Sequence, residues 1–286
     1  MTHTLSPALH LLHPSESTGS ATLQGLYRDA PLPKGSGKTP WMYANFVTSL
    51  DGRISLDTGV GCRVPNTVAN PRDWRLFQEL AARADCLITS GRYLRELEAG
   101  CAQDILPVGS EFTDLLHWRQ EQGLSPQPDV AIVSGTAQFQ IPPLLREQGR
   151  RVWLIIPEDT PDQRLQAHRQ AGAQVAARFR GHRVTGAQLR DTLGALGYGR
   201  VYSVAGPQVA HTLIRDGCLD TLFKTVRHRV IGGQSSQFET VVEGAPLEQP
   251  ADFRLRWLYL DPGTAPGEEQ QFLRLDRLDG PAGPDA

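Results

Sequence analysis

Residues 41–58, WMYANFVTSLDGRISLDT, limit the folds open to this chain more than any other stretch. Trp41, Met42, Tyr43, Ala44, Phe46 and Val47 form an apolar run broken only by the amide of Asn45. A continuous run, unlike an alternating one, predicts a strand buried on both faces, as in parallel sheets covered by helices. The run ends at Thr48-Ser49-Leu50-Asp51-Gly52-Arg53. Asp51 can bond its own backbone and Gly52 tolerates positive φ, so a turn is expected there. In open α/β sheets, ligands bind beyond such strand ends.

The remaining chain repeats the strand-to-turn pattern. Asn70-Pro71-Arg72-Asp73 offers a capping amide, a first-turn proline and an acid suited to the helix dipole. Trp74, Phe77, Leu80, Ala81 and Ala84 then recur on one helical face. Residues 86–89 (CLIT) predict a buried strand running into a second glycine turn, Ser90-Gly91-Arg92-Tyr93. Residues 129–134 (DVAIVS) and 151–156 (RVWLII) predict two more strands, the first ending at Ser134. Thr160 to Gln163 and Thr185 to Gln188 carry capping-box patterns. Residues 200–204 (RVYSV) run into Ala205-Gly206-Pro207-Gln208, a glycine cap and a proline opening a helix. Free N–H groups and the dipole make that helix start an anion site. Residues 253–261 and 271–278 predict an antiparallel hairpin. The fold expected is an α/β sandwich with a mostly parallel central sheet and a C-terminal antiparallel hairpin. Residues 1–40, rich in Pro, Ser, Gly and Thr, read as a flexible lead-in, 41–279 as a single domain and 280–286 as a disordered tail.

A net charge of −2 argues against a nucleic-acid or polybasic membrane surface as the main business of the chain. Four cysteines, at 62, 86, 101 and 218, form no CxxC pair, which argues against a zinc site or a disulfide scaffold. No apolar run approaches the roughly 20 residues of a spanning helix. The N-terminus lacks the basic region of a secretory signal. A cytoplasmic soluble protein is expected.

The ordered set of Ser49-Leu50-Asp51-Gly52, Ala205-Gly206-Pro207, Gly217-Cys218-Leu219-Asp220 and Ile231-Gly232-Gly233 resembles the reductase domain of riboflavin biosynthesis. That domain is the C-terminal half of a bifunctional deaminase–reductase and has a dihydrofolate-reductase-like fold. The resemblance covers roughly residues 41–278, and Trp41 to Phe46 looks like the stand-alone pyrimidine-reductase-like members. No deaminase pattern (H-x-E…P-C-x-x-C) is present. The resemblance implies a three-layer sandwich, NADPH as cofactor, a pyrimidine intermediate as substrate and a homodimer. It implies cofactor contacts from Gly52, Thr89, Ser90, Gly91, Arg92, Tyr93, Ser134, Ala205, Gly206, Pro207 and Gln208. It implies substrate contacts from Asn45, Ser49 and Val204, with Asp51 polarising the substrate. Read from its own neighbours, Asp51 equally builds its turn, and Arg92 either binds the cofactor's 2′-phosphate or bars the site.

Two departures bear on the substrate. The family often carries a lysine where this chain has Asn45, and a glutamate where it has Val204. Each charged hydrogen bond so removed is worth about 1.5–3 kcal/mol. A pterin- or dihydrofolate-type reductase, or a non-catalytic nucleotide-binding member, are the alternatives these changes leave open.

Overall fold

The computed structural model describes residues 8–14, 19–35, 39–57, 62–65, 67–181 and 183–278. The chain begins with β1 (Leu9–His13) and β2 (Ser20–Ala21), then β3 (Trp41–Thr48), β4 (Arg53–Asp57), β5 (Cys62–Arg63) and α1 (Pro71–Arg83). It continues through β6 (Cys86–Ser90), α2 (Gly91–Glu98), α3 (Thr113–Glu121), β7 (Asp129–Val133), α4 (Pro143–Glu147), β8 (Val152–Pro157), α5 (Asp162–Gln170) and β9 (Ala173–Phe179). The last third holds α6 (Gly186–Ala195), β10 (Arg200–Ser203), α7 (Pro207–Arg215), β11 (Thr221–Arg227), β12 (Phe238–Thr240), β13 (Phe253–Asp261) and β14 (Gln270–Arg277).

Among the described residues one sheet runs β2-β1-β13-β14-β11-β3-β10-β6-β7-β8-β9. From β11 to β9 every neighbouring pair is parallel. From β14 outward the pairs are antiparallel. The run at residues 41–48 is the strand it promised to be. β3 lies between β10 and β11, and its side chains pack into a core on each face. Met42, Ala44 and Phe46 meet Leu189, Leu193, Ala210 and Leu213 of α6 and α7 on one face. Trp41 and Tyr43 meet Leu76, Leu80 and Leu115 of α1 and α3 on the other. Further along that second face, Leu94, Leu145 and Leu165 of α2, α4 and α5 cover β7 and β8. The result is the three-layer sandwich, with its C-terminal hairpin β13–β14 in place.

Asn70 caps α1 as expected, accepting from the N–H groups of Arg72 and Asp73 at 3.1 and 3.0 Å. Thr185 and Gln188 form the predicted capping box of α6. The box expected at Thr160 does not form. Pro161 is the cap residue of α5, and the Thr160 hydroxyl donates back to the Pro157 carbonyl at 2.8 Å.

The segment read as a flexible lead-in is instead packed wherever it is described. β1 adds to the sheet beside β13, and Leu9, Leu23, Tyr27 and Leu32 are buried. The cause is electrostatic as well as apolar. Glu79 of α1 accepts the backbone N–H groups of Gly25, Tyr27 and Arg28. Arg83 of the same helix donates to the carbonyls of Tyr27, Arg28 and Ala30. The expected tail, 280–286, lies outside the described residues. A second, small antiparallel sheet, β12-β4-β5, was not anticipated.

Candidate active site

β11, β3, β10, β6 and β7 are consecutive and parallel, so their C-terminal ends share one edge of the sheet. The turns singled out from sequence therefore converge, but they are occupied differently from expectation. Ser49 is buried, its hydroxyl donating to Asp51 at 2.6 Å and accepting from the Arg53 N–H at 3.0 Å. Asp51 also accepts from the Arg53 guanidinium at 2.7 Å and from the N–H groups of Ile231 and Gly232 at 3.2 and 2.9 Å. These donors, Ser49 foremost, hold the carboxyl well below the usual carboxylate range. Asp51 is thus an ionised clasp between the β3–β4 turn and the 231–232 loop. Gly52 has φ of +82°, which the turn requires of it.

The second glycine turn is a direct strand-to-helix junction. Ser90 caps α2 by accepting the Tyr93 N–H at 3.2 Å. Gly91 is already helical and buried, and a Cβ on it would fall 2.7 Å from the Ser134 hydroxyl and 2.8 Å from the Phe139 ring. Its lack of a side chain serves the packing of α2 on the β7 loop. Ser134 in turn accepts the N–H groups of Thr136 and Ala137. Tyr93 points away, its hydroxyl donating to the Gln103 carbonyl and accepting from the Ile105 N–H, both at 3.0 Å. Arg92 pairs with Glu96 at 2.8 Å and with Glu239 of β12 at 2.5 Å, and so ties the small sheet across this edge.

The β10–α7 junction is different in kind. Ala205 is core and Pro207 opens the helix, with Gln208 exposed. Gly206 is the exposed cap residue, no side chain caps the helix, and a Cβ there would meet nothing within 4 Å. This helix start is open to an anion.

One row back, on the α1 face, lies a polar hollow. The sheet register sets Val204 abreast of Asn45 on β3 and Thr89 on β6. Asn45, Val47 and Val204 are only half-buried, although they sit in the middle of the sheet. Above them, the first turn of α1 carries Asp73, buried to 7% exposure. Around it, Asp73 Oδ1, Asn45 Oδ1, Thr225 Oγ1 and the hydroxyls of Tyr27 and Tyr202 close no well-formed hydrogen bond among the described residues, although Thr225 and Asn45 stand near enough to Asp73 and the two tyrosines to act on them; Thr89 Oγ1, beside Val204, is likewise left over. Burial pushes the Asp73 carboxyl up to about 6, an effect partly offset by Thr225, Asn45 and the Arg227 charge. Buried polar groups are nearly always satisfied by their own protein. Polar groups gathered here and only loosely met by one another leave bonding capacity for a ligand.

Asn45, Thr89 and Val204 thus belong to this hollow, whereas Ser49, Gly52, Ser90, Gly91, Ser134 and Ala205 belong to the walls and turns. Sequence reasoning missed Asp73, Thr225, Tyr202 and Tyr27. β11 did carry a signal. Thr221, Phe223, Thr225 and Arg227 alternate onto one face, and all four are buried. Hydroxyls and a cation on the inner face of a central strand mark a polar interior.

Comparison with known proteins places this architecture. A pyrimidine reductase-like protein from Corynebacterium diphtheriae superimposes with a TM-score of 0.67 at 19% identity, over 91% of this chain and 100% of its own. The riboflavin biosynthesis reductase of Saccharomyces cerevisiae gives 0.55 at 14% identity, over 89% and 97%. RibD of Acinetobacter baumannii gives 0.56 at 16% identity, over 84% of this chain and 58% of that longer protein. At such identities these likenesses establish the fold. No curated protein sequence matches the chain. The model of the RibD C-terminal domain matches residues 40–258, and the chain belongs to that family.

Proposed function

We propose that this protein is an NADPH-dependent reductase of a pyrimidine intermediate, of the kind named for the Thermotoga maritima relative, 5-amino-6-(5-phosphoribosylamino)uracil. The observation that carries the reading is the hollow under α1, where a buried carboxylate with a raised pKa faces hydroxyls and an amide that no well-formed hydrogen bond satisfies. The uncapped start of α7, at the end of β10 just past Val204, supports a cofactor phosphate on the same edge of the sheet. Gly206 leaves open space there and no side chain caps α7; Pro207 brings no N–H and those of Val209 and Ala210 bond the Gly206 carbonyl, so the helix dipole and the Gln208 N–H are what this helix start offers. Bound NADPH would supply a hydride. The chain's own residues do the rest: α7 binds the pyrophosphate, Asp73 and Thr225 orient the heterocycle, and the aromatic wall of Tyr43, Tyr202 and Phe77 excludes water. Asp51 keeps the 231–232 loop against the strand end and takes no part in proton transfer.

Arg92 fits the 2′-phosphate only by releasing Glu239 or Glu96, so we assign it to holding β12. Asn45 and Val204 leave Asp73 as the carboxylate of a hollow without the lysine and glutamate common in the family. That favours a heterocycle recognised through hydrogen bonds over one gripped by opposite charges, and a pterin-type ring is the second reading on this ground. A cytoplasmic homodimer is part of the same proposal. No helix among the described residues is long and apolar enough to cross a membrane.

The test is a titration of the purified chain with NADPH, followed by nicotinamide fluorescence, and then NADPH oxidation on addition of the pyrimidine. Saturable binding with turnover is expected. No saturable change at millimolar cofactor would sink the reductase reading, and binding without pyrimidine turnover would move it to the pterin-type ring.

A further inference from the structure

Tyr27 lies outside the part of the chain that the family matches, which begins at residue 40. Nevertheless it reaches the hollow. Its ring is fully buried, 4.7 Å from Phe223 and 5.4 Å from Trp257. Its backbone is clamped from α1, with Glu79 accepting its N–H at 2.9 Å and Arg83 donating to its carbonyl at 2.8 Å. The hydroxyl is buried beside Thr225, the side chain near enough to engage it, and in the field of Asp73, yet it closes no well-formed hydrogen bond among the described residues. Packing alone asks for no oxygen here, since a phenylalanine would make the same ring contacts without burying an unsatisfied polar group.

We propose that the N-terminal segment completes the substrate pocket and that Tyr27 is a substrate-contacting residue. The proposal rests on the reading of the hollow as the substrate site. The Asp73 carboxylate accepts, while the Tyr27 and Thr225 hydroxyls donate. Their complement is a ring edge with a donor next to an acceptor, such as an amino group beside a ring carbonyl or ring nitrogen. Residues before the family's own domain thereby select an amino-substituted heterocycle.

The experiment compares the full-length wild type with Tyr27→Phe and Asp73→Asn. It uses NADPH and 5-amino-6-(5-phosphoribosylamino)uracil as probes, with thermal melting and a ¹³C NMR titration of the Asp73 carboxyl. In Tyr27→Phe the pyrimidine KM is expected to rise about tenfold, the loss of one buried hydrogen bond. NADPH affinity should stay unchanged and the melting temperature should not fall. A KM within about twofold of wild type, with Asp73→Asn impaired, overturns the role of Tyr27 and leaves the hollow as the substrate site. If wild type fails to bind the pyrimidine, the reading of the hollow fails and the substrate role of Tyr27 falls with it; the carboxyl titration then tests only whether Tyr27 and Asp73 share a wall. An upward move of the Asp73 midpoint in Tyr27→Phe upholds a shared wall, and an unmoved midpoint rejects it.

Discussion

Helix α1 buries two carboxylates and treats them in opposite ways. Glu79, near its middle, is fully buried and takes three backbone N–H groups together with the Arg75 guanidinium at 2.9 Å. Asp73, in its first turn, is nearly as buried, yet one of its oxygens has no partner among the described residues. The first carboxylate is spent on structure, tethering residues 25–28 to the helix. The second keeps bonding capacity that the fold does not use. An unsatisfied buried polar group costs about 1–3 kcal/mol, so a protein retains one chiefly where a ligand will satisfy it.

The largest effect should come from breaking the satisfied side. Glu79→Ala strands three backbone N–H groups and leaves Arg75 with Asp114 as its remaining partner, and removal of one member of such a buried set costs about 3–5 kcal/mol. A urea midpoint close to wild type would contradict it. Release of the lead-in should also carry Tyr27 out of place, so limited proteolysis should cut first within residues 19–35.

Asp73→Asn should act in the reverse sense on stability. The folded carboxyl titrates near 6 and an ordinary one near 3.8. The native state therefore binds the proton more tightly than the unfolded chain between those values, and stability falls as pH rises through them. The cost is absent below about pH 4 and complete above about pH 6, where two pKa units amount to about 3 kcal/mol. Asp73→Asn should be more stable than wild type at pH 8 and equal to it at pH 4, while its kcat/KM for the heterocycle falls ten- to a hundredfold, the loss of a charged hydrogen bond of about 1.5–3 kcal/mol. Melting curves at both pH values check the first part. Equal destabilisation at both would show Asp73 to be structural, like Glu79.

This contrast also marks what sequence could tell. The apolar runs at 41–47 and 86–88 announced their strands, because burial on both faces leaves no room for polar residues. The cap at Asn70 and the box at Thr185 were local, and local patterns are readable. Asp73 looked like any first-turn acid, since its position suits the dipole whether or not it also lines a hollow. Arg92 looked free to read phosphate because its partner, Glu239, is 147 residues away. The lead-in looked loose because its composition says nothing of Glu79 and Arg83, which meet its backbone and not its side chains.

Asn45→Lys with Val204→Glu restores charges usual in the family and tests the hollow from its floor. The cation of Asn45→Lys alone should lower the Asp73 midpoint, and the added glutamate of the double variant should return it part of the way. Turnover of the phosphoribosyl-pyrimidine should rise by about tenfold per recovered charged hydrogen bond. Unchanged turnover in the double variant would place substrate selection elsewhere in the hollow, with Tyr27 next in line.

The smallest effect is expected at the partnered edge, and it separates two roles for one arginine. The Arg92 side chain is 41% exposed, so its pairs with Glu96 and Glu239 are worth no more than about 1 kcal/mol together once water screens them. Arg92→Ala should therefore barely move the melting temperature. If the guanidinium holds β12, Glu239→Gln must reproduce whatever Arg92→Ala does, and both must weaken NADPH and NADH to the same degree. If it reads the 2′-phosphate, only Arg92→Ala narrows the preference for NADPH, and Glu239→Gln, by freeing the guanidinium, widens it. The ratio of the two cofactor affinities, measured by nicotinamide fluorescence across the three proteins, decides between a staple and a reader.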